Sequence, residues 1–200
     1  MHRTIFDTPV VSTVLRAGSV AFLRLNGWTI EGQLPPGSPK CVLIAAPHTS
    51  NWDLPYTLMV AFSLRLHIYW MGKASIFRPP FRGVMMWLGG IPVHREKSNQ
   101  LVAASVQAIE EAEGELQLVV PPEGTRGATR HWKTGFYYIA LGAKVPIVMA
   151  YMDYQRKLSG LGPVFTPTGD VERDMADIKA FYAPFKGRNA DQFDAGTGSR

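Results

Sequence analysis

Short apolar runs that alternate with helix-like segments restrict the folds open to this chain of 200 residues more than any other feature. The runs cover residues 41–46, 116–120 and 145–151, the usual length of a strand that is buried on both faces. Between them, apolar residues such as Val102 and Val106 recur at helical spacing. Strands that alternate with helices favour a parallel arrangement. The sequence therefore predicts a single-domain α/β sandwich, a largely parallel mixed sheet flanked by helices.

The other boundaries follow from capping, glycine and proline signals. Further strands are predicted at residues 28–33, 67–71 and 91–94, and helices at residues 9–25, 53–65, 134–141 and 171–182, with two more that begin at Pro79 and Ser98. A hydrophobic content of 46% is enough for a substantial core. We expect one domain over residues 1–188 and a flexible tail over residues 189–200.

The first predicted helix, Pro9–Leu25, is amphipathic. Val10 and Val14 fall on its apolar side, and Arg16 interrupts the apolar stretch. A signal peptide is not indicated, and no run reaches the roughly 18 uncharged apolar residues that a membrane span needs. We expect a cytoplasmic protein whose first helix docks peripherally on the cytoplasmic membrane. Packing of the same apolar side on the sheet is the alternative.

Basic charge is concentrated in the middle of the chain. Residues 54–109 contain six basic residues and one acid, so this segment alone has the net charge of +5 that the whole chain has. Lys73, Arg78 and Arg82 lie there, close to aromatic and methionine residues, which would suit an anionic membrane surface or an anionic substrate. A solvated basic face is the alternative. Nucleic acid is not an expected partner, because no recognition motif is present.

The turn after the first apolar run contains a candidate base and acid. His48 and Asp53 are too far apart around a regular helix to face each other. A strand-to-helix turn capped by Ser50 or Asn51 could bring them together. A histidine held by a carboxylate can take a proton from a hydroxyl group. Alternatively, His48 is an ordinary loop residue and Asp53 complements the helix dipole.

A second polar turn, residues 121–127, follows the apolar run 116–120. Its backbone N–H groups and Arg126 could surround a phosphate. An ordinary turn in which Glu123 pairs with Arg126 is the alternative. Arg95 ends another predicted strand, where it could bind phosphate or be solvated. Because the carboxyl ends of parallel strands share one edge of a sheet, we expect the polar turns to form a single site.

Other chemistries lack their sequence signatures. The chain has no G-x-S-x-G elbow and no Walker-type lysine, and its five histidines are not spaced as metal ligands. Cys41 adjoins an apolar run, so we expect a buried core thiol. Neither a metal nor a cofactor is expected. The two polar turns together would suit acyl transfer to a phosphate-bearing alcohol.

Four sequence blocks together resemble those of the glycerophospholipid acyltransferase family, the lysophosphatidic acid acyltransferase-like enzymes. His48 and Asp53 match the H-x4-D motif, residues 89–95 the G-x-I-F-I-x-R block, residues 122–126 the F-P-E-G-T-R block, and residues 145–148 the V-P-I-V-P strand. Lys73 also falls where the family has a lysine. The order and spacing agree over about residues 40 to 150. The resemblance implies a glycerol-phosphate acyltransferase-like domain.

The resemblance also implies roles for these residues. His48 would be the general base, and Asp53 would orient it. The acceptor pocket would be shaped by Arg95, Glu123, Gly124, Thr125 and Arg126. The donor would be acyl-CoA or acyl-carrier protein, and the acceptor a lysophospholipid such as 1-acyl-glycerol-3-phosphate. A thioesterase that activates water and a catalytically silent lipid-binding protein are the alternatives.

Overall fold

Seven strands and six helices are present in the computed structural model, which describes residues 2–93 and 98–196. The strands are β1 (Thr29–Glu31), β2 (Lys40–Ala46), β3 (Ile68–Lys73), β4 (Gly90–Val93), β5 (Leu116–Val120), β6 (Ile147–Asp153) and β7 (Leu158–Phe165). The helices are α1 (Pro9–Leu25), α2 (Asp53–Leu64), α3 (Arg82–Trp87), α4 (Ser98–Glu111), α5 (Gly135–Ala143) and α6 (Val171–Tyr182). Short 3₁₀ helices cover Ile5–Asp7, Ala74–Phe77 and Ala190–Gln192.

All seven strands form one sheet, in the order β1-β7-β6-β2-β5-β3-β4. Neighbouring strands are parallel except β6 and β7, which are antiparallel. β2 lies at the centre, where its Val42 pairs with Leu118 of β5 and with Ile147 of β6. The predicted α/β fold, with a largely parallel mixed sheet flanked by helices, is confirmed.

Side chains of β2 alternate between two hydrophobic cores, one on each face of the sheet. Val42 and Ile44 lie in the core that includes α5 and α6, whereas Cys41 and Leu43 lie in the core that includes α2. Burial on both faces explains why the strand is a continuous apolar run. Cys41 is buried as expected, and burial raises the pKa of its thiol to about 12.

Proline and glycine account for two differences from the predicted elements. α3 begins at Arg82 and not at Pro79, because a residue that precedes a proline, as Pro79 does, is disfavoured in the helical region. β7 was not predicted from the sequence. Its Gly160 lies so close to β1 that a Cβ there would lie 2.0 Å from the Glu31 carbonyl oxygen, and such a glycine weakens the strand signal.

A flexible tail was predicted for residues 189–200, and the structure describes residues 189–196 of it. Residues 189–196 pack onto the domain, where Ala195 is buried and the Phe193 ring lies 6.3 Å from the Trp132 ring, centroid to centroid. Arg130 Nε also donates a hydrogen bond of 2.9 Å to the Asp194 carboxylate. The structure thus places residues 189–196 against the domain, and the predicted flexibility of residues 189–200 stays a prediction.

α1 packs against α2 and buries only Ser19 and Leu23 along its length. The apolar residues at its outer side are exposed: Val10 is 76% exposed, Val14 65% and Leu25 87%. The alternative in which this side packs on the sheet is therefore wrong. Within residues 2–93 and 98–196, none of the helices is both long enough and apolar enough to cross a membrane.

Candidate active site

His48 and Asp53 meet in the turn between β2 and α2, at the carboxyl ends of the parallel strands. His48 Nδ1 lies 3.0 Å from Asp53 Oδ2. An ionised carboxylate can only accept hydrogen bonds, so Nδ1 carries the proton of this contact. Nε2 is then the nitrogen that can accept a proton, and His48 lines a cavity. A histidine held in this way by a carboxylate can take a proton from a hydroxyl group.

The Asp53 side chain organises the turn that contains it. Its Oδ2 accepts hydrogen bonds of 2.9 Å from the backbone N–H groups of Thr49 and Ser50. The expected capping of α2 by Ser50 or Asn51 is wrong, because Trp52 is the N-cap residue and makes no side-chain cap bond. Ser50 Oγ instead accepts a bond of 3.2 Å from the Trp52 N–H. Folding around one carboxylate brings the ends of the H-x4-D motif into contact.

Glu123 joins the second polar turn to the first. Its Oε1 accepts a hydrogen bond of 2.9 Å from the backbone N–H of His48. The side chain is buried, and Oε2 has no hydrogen-bond partner among the residues that the structure describes. Burial raises the pKa of this carboxyl to about 7, although the bond from His48 acts in the opposite direction. The alternative pairing with Arg126 is thus not formed.

The rest of the second turn faces the cavity. Gly124, Thr125 and Arg126 line it, and Gly124 has a φ of 64°, which favours glycine. Lys133 is a further cation on the cavity wall. A Cβ on Gly124 would lie 3.2 Å from Lys133 Cγ, so the lysine stem passes over the glycine. Lys133 was not predicted as a site residue, because only the loop that leads into α5 brings it back to this turn.

The cavity has a volume of about 1140 Å³. Lys73, Arg126 and Lys133 line it together with His48 and Asp53. Many of its other lining side chains are apolar and come from α2, β2, β3 and β5. The volume is larger than the roughly 300–1,000 Å³ of most small-molecule sites. It has room for a ligand that combines an anionic group with a long apolar chain.

Two of the predicted basic residues, Arg78 and Arg82, do not line this cavity. Arg78 and Arg82 are exposed near the start of α3, beside Phe81, which is 63% exposed. Their predicted contact with an anion or a membrane stays a prediction. Arg95 lies outside the described residues, so its place beside the acceptor also stays a prediction.

The C-terminal segment, residues 186–196, contacts both polar turns. Asn189 donates from its backbone N–H to Thr49 Oγ1 (3.2 Å) and from its side-chain amide to the Thr49 carbonyl oxygen (2.9 Å). Gln192, with its amide nitrogen turned toward the turns, donates to the carbonyl oxygens of Arg126 (2.9 Å) and Thr49 (3.1 Å). No local sequence pattern indicated these contacts. The segment ties the two turns to each other from outside the sheet.

Comparison with known families agrees with the four motif blocks. Residues 29–153 match the family described as Acyltransferase, which is more than half of the chain and includes both polar turns. The chain belongs to the acyltransferase family. The predicted membership of an acyltransferase family is thereby confirmed. No curated protein matches the sequence closely enough to count as a relative.

The fold of this acyltransferase is similar to that of a solved enzyme, the 1-acyl-sn-glycerophosphate (LPA) acyltransferase PlsC from Thermotoga maritima. The TM-score is 0.59 and the sequence identity 14%, over 89% of this chain and 81% of that chain. At this identity the likeness shows a shared fold. The family match ends at residue 153, so the C-terminal segment lies beyond it.

Proposed function

We propose that this acyltransferase moves a fatty acyl group from acyl-CoA or acyl-carrier protein to the hydroxyl group of a lysophospholipid-like acceptor of the 1-acyl-glycerol-3-phosphate type. The observation that carries the proposal is the 3.0 Å contact between His48 and Asp53 on the wall of a large cavity. The same wall bears the cations Lys73, Arg126 and Lys133. A base, cations for a phosphate and apolar space for an acyl chain suit this reaction.

In the proposed reaction, His48 Nε2 takes the proton of the acceptor hydroxyl while the hydroxyl oxygen attacks the thioester carbonyl carbon. Asp53 fixes the imidazole tautomer and stabilises the imidazolium that forms. The carbon–sulfur bond then breaks, and the imidazolium returns its proton to the departing thiolate. The acyl group passes directly to the acceptor, so the reaction needs no nucleophilic serine.

The acceptor phosphate is proposed to contact Arg126 and Lys133, with Arg95 as a further contact from outside the described residues. Guanidinium groups bind phosphate through charge-assisted hydrogen bonds. Gly124 and Thr125 would form the pocket wall, since both line the cavity. Glu123 would shape the pocket indirectly, because its bond holds the His48 backbone.

We further propose that the protein docks peripherally on an anionic membrane surface on the cytoplasmic side. The exposed Val14 and Leu25 on α1 would insert among lipids. Arg78 and Arg82, beside the exposed Phe81, would add attraction to anionic head groups. A lipid acceptor could then enter the cavity from the bilayer.

Turnover assays test the proposed chemistry. Purified protein is given palmitoyl-CoA or palmitoyl-acyl-carrier protein, with and without 1-acyl-glycerol-3-phosphate, and both thiol release and acylated lipid are measured. His48→Ala should lower turnover by about 10²–10⁴-fold, the usual contribution of a general base. Asp53→Asn should also lower turnover strongly, because it favours the wrong tautomer.

The matched control is His67→Gln. His67 Nε2 lies 3.5 Å from Asp7 Oδ1, a second histidine–aspartate pair whose side chains do not line the cavity. This variant should keep wild-type turnover. A His48→Ala protein with more than about a tenth of wild-type turnover would rule out the general base. Free fatty acid released without an acceptor would indicate a thioesterase, and no turnover with either donor would indicate a silent lipid-binding protein.

A further inference from the structure

The two carboxylate oxygens of Asp53 have different partners. Oδ2 accepts from the backbone N–H groups of Thr49 and Ser50 and contacts His48 Nδ1. Oδ1 accepts a hydrogen bond of 2.9 Å from the hydroxyl group of Tyr154, which directly follows β6. Tyr154 therefore touches the acid of the pair on the side opposite to the histidine contact.

The hydrogen bond from Tyr154 to Oδ1 restrains the orientation of the Asp53 carboxylate, which the backbone N–H groups alone do not fix. The two N–H groups fix the position of Oδ2 but leave the carboxylate able to turn about that atom. The direction of Oδ1 sets the carboxylate plane, and this plane sets the lone-pair direction that Oδ2 presents to His48. Burial, with the adjacent Asp53 charge and hydrogen bond, raises the pKa of Tyr154, so its hydroxyl keeps its proton and remains a donor.

Tyr154 is itself held in place. Its ring packs against Trp28 and Tyr56, with centroid distances of 5.2 and 5.6 Å. The Arg188 guanidinium lies 5.9 Å from the centroid of the Tyr154 ring. The Tyr154 backbone N–H donates a bond of 2.9 Å to the Lys186 carbonyl oxygen. A donor that is fixed in this way can hold the group that it contacts.

We propose that Tyr154 is a positioning residue for the His48–Asp53 pair, which keeps Asp53 Oδ2 aimed at His48 Nδ1. The catalytic consequence rests on the proposed role of His48 as general base. Tyr154 acts through Asp53 and does not contact the reacting atoms. It lies just beyond residues 29–153, the part of the chain that the family match covers.

The first test is Tyr154→Phe, which keeps the ring and removes the hydroxyl. The turnover number kcat should fall about ten-fold, the loss expected for a hydrogen bond to a charged group. KM for donor and acceptor should change by less than about two-fold, because the substrate contacts remain. Tyr56→Phe is the matched control: it removes a hydroxyl from the neighbouring ring, leaves the Asp53 bond in place and should keep wild-type kcat.

The second test separates positioning from a general effect on the fold. In an Asp53→Asn background, Tyr154→Phe should lower kcat by less than about two-fold, because the carboxylate that it positions is gone. An activity-independent readout is the NMR resonance of the proton on His48 Nδ1 in protein labelled with ¹⁵N-histidine. This resonance should move in Tyr154→Phe and stay in place in Tyr56→Phe.

Each outcome decides between the two proposals. Wild-type kcat together with an unmoved resonance in Tyr154→Phe overturns the positioning role, and so do equal losses of kcat in both backgrounds. Full activity in His48→Ala overturns the general base instead. In that case the resonance alone decides whether Tyr154 positions the pair.

Discussion

Replacing Glu123 by glutamine should change the free energy of unfolding by an amount that depends on pH. The difference, variant minus wild type, should be larger at neutral and alkaline pH than at acidic pH. Burial raises the pKa of this carboxyl from its ordinary value of 4.5 to about 7. Glutamine keeps an acceptor oxygen for the His48 N–H but cannot ionise. The substitution therefore removes the titration while it leaves the bond between the two turns available.

The sign and size of the effect follow from proton linkage. Between pH 4.5 and about 7, the folded protein holds a proton on Glu123 that the unfolded chain has lost. In wild type, Glu123 contributes its full stabilisation below pH 4.5. This contribution is lost as the pH rises from 4.5 to about 7. Because one pH unit corresponds to about 1.4 kcal/mol, the loss reaches about 3 kcal/mol. The glutamine variant does not have this loss.

The assay is urea denaturation of wild type and Glu123→Gln at several values between about pH 5 and about pH 8. The difference in the free energy of unfolding, variant minus wild type, should rise by about 2.5 kcal/mol across the range, since part of the loss has already occurred at pH 5. A constant cost of burying the amide nitrogen does not affect this slope. Glu115→Gln, at an exposed position, serves as the control. A difference that is independent of pH, or larger at acidic pH, would refute the reasoning.

Further predictions concern the cavity, the membrane and the chain end. Arg126→Ala and Lys133→Ala should each raise the acceptor KM about ten-fold or more and leave the donor KM unchanged, whereas equal effects on both substrates would indicate a structural role. Co-sedimentation with anionic liposomes should weaken in a Val14→Asp/Leu25→Asp variant and at high salt. Wild-type binding that depends neither on lipid charge nor on salt would contradict the docking proposal. Gly187→Ala should lower both thermal stability and kcat, because its Cβ would lie 2.5 Å from Thr49 Oγ1, and an unchanged melting temperature would count against this packing.

Local signals made much of the fold predictable. β5 and α6 have the bounds that the sequence predicts, Leu116–Val120 and Val171–Tyr182. Each is a short segment whose apolar pattern depends on its own neighbours alone. The contact between His48 and Asp53 was predictable only through the motif, because their spacing fits no regular helix and the turn depends on hydrogen bonds to one carboxylate.

Features that depend on distant parts of the chain were not predictable. The outer side of α1 has the expected apolar pattern, but the pattern does not reveal whether the sheet, another helix or solvent lies opposite. Tyr154 and Lys133 lack a motif of their own, and only the folded chain places them beside Asp53 and Gly124. One usable signal existed for Tyr154: it directly follows a strand of the largely parallel sheet, and His48 lies two residues beyond another strand.

The contacts of the C-terminal segment could not be predicted from its position at the chain end. The turns that contain Thr49 and Arg126 leave the sheet, so their backbone groups lose strand partners, and such groups must find others when they are buried. Asn189 and Gln192 donate to those carbonyl oxygens. A site built on turns at strand ends thus needs polar side chains from elsewhere, and Asn189 is 140 positions away from Thr49. A polar chain end is therefore compatible with a flexible tail or with a segment whose side chains pair with the backbone of the polar turns.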